Sequence, residues 1–200
     1  MSRIFLLRHA QSTANAQGIL AGRLPKINLS EAGLEQRAKL MERLQSAKFD
    51  QVISSPLERC IQTIEPFDDS PIIVPEFQEV DYGKWTGKKM RTMARNKSWQ
   101  EIHKHPASVR FPEGETLPEV QTRSLLGIDT YLEKKAKNIL ISTHADVVKV
   151  LILHALGSHL NNVDKISIDN ASISIIEKSG NDYRVLRVND NTSRISGLLR

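Results

Sequence analysis

The chain predicts an α/β fold: a three-layer α/β/α sandwich around a mostly parallel central sheet. Two observations carry that reading. The runs Ile4-Phe5-Leu6-Leu7, Gln51-Val52-Ile53-Ser54 and Asn138-Ile139-Leu140-Ile141-Ser142 are short and predominantly apolar, as strands buried on both faces are. Between them lie segments with helical periodicity and recognisable caps, so strands and helices alternate. A third observation concerns chemistry. His9, Arg59 and His144 fall just after, or one turn after, such a run. In parallel α/β folds ligands bind outside the carboxyl ends of the strands, which would put all three on one rim.

The first run empties into Arg8-His9, followed by Ala10-Gln11-Ser12-Thr13-Ala14-Asn15. Imidazole can act as a nucleophile, and guanidinium can grip phosphate oxygens through paired, charge-assisted hydrogen bonds. Residues 18–28 read as a polar loop punctuated by Gly18, Gly22 and Pro25. Ser30 caps the next helix, whose apolar residues recur at Leu34, Ala38, Met41 and Leu44 before it ends near Ser46. After the second strand, Ser55 is expected as a helix cap and Pro56 as the first helical residue. Leu57, Ile61 and Ile64 form its buried stripe; Arg59 lies off it, facing either solvent or the strand end. Pro71-Ile72-Ile73-Val74-Pro75 reads as a third strand clipped by prolines.

Residues 77–87 gather Glu79, Asp81, Tyr82 and Trp85 with Gly83 and Gly87, the composition of a shaped loop rather than a solvated connector. A basic stretch follows, ending in His103-Lys104-His105-Pro106, which reads as solvated rather than metal-binding. Thr116-Leu117-Pro118-Glu119 matches a capping box and starts a helix with Leu125, Ile128 and Leu132 on one face. The fourth strand runs into Thr143-His144-Ala145-Asp146. Residues 147–156 are apolar on nearly every side, hence a buried helix, stopped by Gly157. Ser172-Ile173-Ser174-Ile175 and Tyr183-Arg184-Val185-Leu186-Arg187-Val188 are late strands joined by a turn at Ser179-Gly180-Asn181-Asp182. Residues 189–200 look poorly fastened.

The totals narrow the classes. A length of 200 residues sets an expectation of one domain, 1–200, with a sizeable core. Hydrophobic residues are 40% and charged residues 26%, the ordinary globular balance. No apolar run approaches a membrane span, and the N-terminal run is too short for a secretory signal, so a cytoplasmic location is expected. Cys60 is the only cysteine, which excludes an internal disulfide and a cysteine metal cage. The 28 Lys and Arg exceed the 23 Asp and Glu, giving +5, and the basic residues concentrate in residues 84–104. They lack the interleaved aromatics of a single-strand binder, so nucleic acid is not the expected partner; no membrane partner is expected either.

Four elements in order, Arg8-His9-Ala10-Gln11-Ser12, Ser54-Ser55-Pro56-Leu57-Glu58-Arg59, Glu79 before Tyr82-Gly83, and Ser142-Thr143-His144, resemble the histidine phosphatase superfamily. That family includes cofactor-dependent phosphoglycerate mutases and many phosphomonoesterases. The resemblance implies a phosphoglycerate mutase-like fold, with His9 as the nucleophile that becomes a phosphohistidine. Arg8, Arg59 and His144 would hold the equatorial oxygens, and Glu79 would be the proton donor. Ser12 and Asn15 stand where the family adds hydrogen bonds to phosphate; Gly22, Arg23, Lys88 and Lys89 are further substrate-binding candidates. The reaction so implied uses no metal and no cofactor, unless the chain is a mutase primed by 2,3-bisphosphoglycerate. A homodimer is left open.

The sequence departs from the family in three places. Ala10 and Ala145 stand where glycine is common after each histidine, and Lys26-Ile27-Asn28-Leu29 replaces an Asp-x-Pro-Leu pattern. The mutases are longer, with an insertion carrying paired arginines; here about 30 residues separate Gly87 from Glu119, without an Arg-Arg pair. The expected activity is therefore hydrolysis of a small anionic phosphoester. Intramolecular phosphoryl transfer is the alternative, and a phosphoester-binding protein without catalysis a lesser one. Lys88, Lys89, Arg91 and Arg95 are expected to grip a second anionic group on the substrate.

Overall fold

The computed structural model of the chain describes residues 1–132 and 135–199. Its strands are β1 (Ser2–Arg8), β2 (Gln51–Ser54), β3 (Ile72–Ile73), β4 (Asn138–Thr143), β5 (Ile173–Ser179) and β6 (Asp182–Asp190). They form one sheet in the order β3-β2-β4-β1-β5-β6. β1, β4, β2 and β3 pair in parallel, with Ile4 opposite Ile139 and Ile53 opposite Ile141. The hairpin β5-β6 then adds to β1 antiparallel. The sheet is mostly parallel, as expected.

Alternation along each central strand sorts the core into two layers. Ile4, Leu6, Ile53, Ile139 and Ile141 face one side, where they meet Val120 and Ile128 of α6 (Leu117–Tyr131) and the apolar α7 (Ala145–Ala155). Phe5, Leu7, Val52 and Leu140 face the other, against Leu40 and Leu44 of α2 (Glu31–Leu44) and Ile64 of α3 (Glu58–Ile64). The short α1 (Thr13–Ala16), α4 (Met90–Met93) and α5 (Lys97–Lys104) lie in the loops at or beyond the strand ends. Among the described residues no helix is long and apolar enough to cross a membrane.

Several local expectations are corrected. α2 is capped by Ser30, but Leu34 is exposed, and the buried stripe is Gly33, Leu40 and Leu44. The shift follows from contact: a Cβ at Gly33 would collide with the Gln11 carbonyl, so the helix approaches the first loop on its glycine. α3 starts at Glu58 with Leu57 in the cap position, because Ser55 is turned to His144 instead. β5 runs on to Ser179, longer than its sequence pattern suggested, and bulges against β6. The C-terminal segment is fastened. Ile195 is fully buried, Arg43 donates to the Ser193 and Asp190 carbonyls, and Arg3 donates to the Leu198 carbonyl. Arg200 lies outside the described residues. The capping box at Thr116 and Glu119 forms as expected, as does the stop at Gly157, whose φ is +60°.

Candidate functional site at the strand ends

β1 hands its chain to His9, whose backbone is clamped from two sides. Its N–H donates to the Thr143 carbonyl at the end of β4 (2.9 Å), and its carbonyl accepts from the Asn170 amide (3.1 Å). The next N–H, of Ala10, donates to Thr63 Oγ1 on α3 (2.9 Å). The imidazole is fixed as well. A carbonyl can only accept, so the 2.7 Å contact of Nδ1 with the Ala10 carbonyl places the proton on Nδ1. Nε2 carries the lone pair and accepts from Arg59 Nε at 3.2 Å. Burial, then the charges of Arg59 and Arg8, hold the His9 pKa well below the ordinary 6.5. His9 is therefore a neutral imidazole of one tautomer.

Arg59, the second residue of α3, is about 1% exposed and is among the largest fully buried side chains. Besides His9 it donates through Nη2 to the Gly22 carbonyl (2.8 Å) and to His144 Nδ1 (3.2 Å). Gly22 supplies that carbonyl from a left-handed turn (φ +50°), with Thr86 and Tyr82 in the space where a Cβ would stand. Among the described residues, Arg59 Nη1 is buried without a partner, and so is Arg8 Nε. An unpaired buried donor is costly unless a ligand satisfies it. These two belong to the two arginines that line the cavity beside His9.

His144 follows β4 directly and occupies the N-cap position of α7. Its Nδ1 accepts from Arg59, so its Nε2 donates to Ser55 Oγ at 2.9 Å. Burial and Arg59 keep it neutral, well below the ordinary pKa. The His9 and His144 ring centroids are 5.2 Å apart. Cys60 packs its sulfur 3.4 Å from His144 Nε2; burial pushes the thiol up to about 12, so it is no nucleophile at neutral pH.

Glu79 comes from the shaped loop, where Phe77, Val80, Tyr82 and Trp85 are all buried. Its Oε1 accepts from the Val80 N–H at 2.9 Å, and Oε2 lies 3.8 Å from His144 Nδ1. Burial, then the Asp146 charge, raise its pKa to about 7, against the opposing pull of Arg59. Asp146, at the start of α7, accepts from the Tyr82 hydroxyl at 2.7 Å and sits 3.4 Å from Lys149 Nζ. The Glu79 carbonyl is held from behind by Arg23 Nε (3.0 Å) and Arg123 Nη2 (3.1 Å). Both arginines are themselves tied to Glu115.

These groups meet in a cavity of about 150 Å³ lined by Arg8, His9, Asn15, Gly22, Arg59, Glu79, Tyr82 and Asp146, with Ile19, Leu20, Ala21, Met90 and Ala145 as its apolar wall. Ser12 Oγ donates to Asn15 Oδ1 (2.9 Å) and its backbone N–H also reaches that oxygen (3.1 Å). The donor end of the Asn15 amide is thereby left for a ligand. A neutral imidazole, two guanidinium groups, an amide and a carboxyl whose pKa burial raises are the parts of a phosphoryl-transfer site.

The comparisons with known proteins agree. Residues 4–191 match the family described as the histidine phosphatase superfamily (branch 1). The chain belongs to the histidine phosphatase superfamily. Phosphoserine phosphatase 1 of Hydrogenobacter thermophilus is 27% identical over 203 residues, covering 94% of this chain and 92% of that protein. The adenosylcobalamin/alpha-ribazole phosphatase of Escherichia coli is 26% identical over 184 residues, 88% of this chain and 89% of that one. The structure of Bacillus stearothermophilus YhfR shares the fold at a TM-score of 0.87 and 23% identity, covering 98% and 100% of the two chains.

As a histidine phosphatase, the chain carries alanines at two family glycine positions at no conformational cost. Among the described residues, neither Ala10 nor Ala145 is in the left-handed region. Ala10 packs with Leu29 and Ala171, and Ala145 forms part of the cavity wall.

His9, Arg8, Arg59, Glu79, Asn15 and Gly22 all border the cavity. His144 stands behind Arg59 rather than on the wall, and Ser12 is buried beneath Asn15 as its positioning partner. Arg23 is committed to Glu115 and the Glu79 backbone. Lys88 and Lys89 are exposed: their backbone pairs with Leu20 and Ile19, and Met90 is the neighbour that reaches the cavity. The basic segment is not simply solvated, since Ile102 is buried and Trp99 packs against Trp85 with ring centroids 5.4 Å apart. His103 and His105 face carboxylates, Asp164 and Glu101, but among the described residues no three His, Cys, Asp or Glu side chains converge as a metal site would require.

Sequence reasoning missed Ser55, Thr63, Asp146 and the Arg123–Glu115 pair. Asp146 sits two residues after His144 and could have been found as a carboxylate at the start of a helix on the rim. Arg123 and Glu115 have no local signature.

Proposed function

We propose that this chain is a phosphomonoesterase acting on a small phosphoester through a phosphohistidine on His9. The observation that carries the reading is the His9 imidazole itself. It is neutral, with its lone pair fixed on Nε2 beside Arg8 and Arg59, and both arginines have a buried donor to spare. Nε2 attacks phosphorus in line. Arg8, Arg59 and the Asn15 amide take the non-bridging oxygens, where charge sits in the transition state.

Glu79, with a pKa of about 7, is protonated often enough to give the leaving oxygen its proton. As a carboxylate it then takes a proton from the water that attacks the phosphohistidine, and His9 returns neutral. The guanidinium groups supply the positive charge that these steps need, so no metal or cofactor enters them. Hydrolysis is favoured over transfer within one substrate because the segment between Gly87 and Glu119 is short and lacks an Arg-Arg pair. A binding protein without catalysis rested on strain at Ala10 and Ala145, and their relaxed backbone removes that support.

The test is phosphate release from a panel of phosphomonoesters, chelator present, with wild type and His9→Ala side by side. Wild type should release phosphate at a rate the chelator does not change. His9→Ala should lose at least about 10⁴-fold while unfolding at an unchanged temperature. Turnover by His9→Ala near the wild-type rate would remove His9 from the nucleophile role.

A further inference from the structure

A second cavity, about 220 Å³, lies directly beside the phosphoryl site. Leu20, Tyr82, Met90 and Asp146 line both, so they form the boundary across which a bound ester would extend. Beyond that boundary the wall is apolar and ring-rich: Trp99, Ile102, Pro106, Phe111, Leu117 and Val163. The charges at its edge are already paired, His103 with Asp164 at 2.6 Å and Lys149 with Asp146 at 3.4 Å. Lys88 and Lys89, expected to receive a second anionic group, are not on this wall.

We infer that this second cavity receives the leaving group of the phosphoester, and that the preferred alcohol carries an apolar, ring-sized body rather than a second anion. The inference rests on the phosphomonoesterase reading and adds its substrate class. Size fits the assignment: a dry cavity of about 150 Å³ holds a benzene ring, so this one takes a ring with a short linker. Chemistry fits it too. Aromatic and aliphatic side chains offer a ring dispersion contacts and a gain in buried apolar area. A carboxylate or second phosphate would instead be desolvated against cations that already have partners. Met90, unbranched and 42% exposed at the boundary, can move to let the linker pass.

The test compares 2-phenylethyl phosphate with ethyl phosphate, two primary alkyl esters that differ by the ring. Wild type should favour the phenylethyl ester in kcat/KM by at least about 10-fold, chiefly through KM. Trp99→Ala, which removes a wall of the cavity, should bring the ratio towards 1. So should Met90→Glu, made at an exposed position to guard against a folding defect in the first variant. A wild-type ratio near 1, or a ratio unchanged in both variants, would overturn the inference.

Equilibrium binding of both esters to His9→Ala, followed by tryptophan fluorescence, separates this idea from the reading beneath it. Tighter binding of the phenylethyl ester without turnover by wild type would overturn the phosphatase reading and keep the cavity assignment. Turnover without preference would do the reverse.

Discussion

Positive charge gathers in two regions of this molecule. At the strand ends, Arg8 and Arg59 are held by backbone carbonyls, two histidines and little else, and Arg59 is almost wholly out of water. Along residues 84–104, seven Lys and Arg side chains including Lys88, Lys89, Arg91 and Arg95 are exposed. Water and salt screen the second group, whose members act weakly at a distance. The first group acts in a low dielectric, where it holds His9 neutral and opposes the ionisation-suppressing burial of Glu79. Density of charge along the chain and density of charge at a site are different quantities, and only the second organises chemistry.

Three variants test that contrast. The largest effect is expected for Arg59→Met, which keeps the volume and removes the charge. It should lower kcat by about 10²–10³-fold. Because a buried, partly satisfied cation contributes little net stability, its melting temperature should move by less than about 5 °C. A large drop in melting temperature with modest loss of rate would make Arg59 a structural residue.

Next comes Glu79→Gln, expected to cost about 10²-fold in kcat by removing the proton donor. In wild type, kcat/KM should fall as pH rises above about 7, where Glu79 loses its proton, and the variant should lack that limb. Stability carries the same signature. The folded-state pKa of about 7 lies above the ordinary 4.5, so the folded state holds the proton more tightly over that window. Stability should therefore decline as pH rises from about 4.5 to 7, and this component should vanish in Glu79→Gln. Denaturation midpoints across the window measure it.

The smallest effect belongs to the exposed region. Lys88→Ala with Lys89→Ala should change kcat/KM by less than about 2-fold, in line with the small energies of surface charges. A loss of 10-fold or more would return these lysines to the substrate.

Much of the architecture was legible because it is written locally. The buried strands announce themselves as apolar runs, and Ser30 and Thr116 announce helix starts by side-chain chemistry. The convergence of His9, Arg59 and His144 followed from one topological rule about strand ends. What sequence could not carry was the choice among several partners for one side chain. Ser55 has the identity and position of a helix cap, yet His144 claims its hydroxyl. Leu34 fits the helical stripe, but Gly33 sets the approach of α2 to the first loop, leaving Leu34 in water. Lys88 and Lys89 had the charge of a substrate clamp. Whether they face the site depends on the path of a loop, which periodicity does not encode. The C-terminal segment is held by Arg3 and Arg43, residues far away along the chain.

If His9 carries the phosphoryl group during turnover, the group can be trapped there. Wild type and His9→Ala would be mixed with a radiolabelled phosphomonoester that wild type turns over, quenched in alkali within milliseconds, and the protein-bound label counted. Label on wild type should be stable to alkali and lost in acid, as a phosphoramidate bond is, and none should appear on His9→Ala. Label that persists in His9→Ala, or wild-type turnover whose bound phosphate is stable to acid, would contradict it.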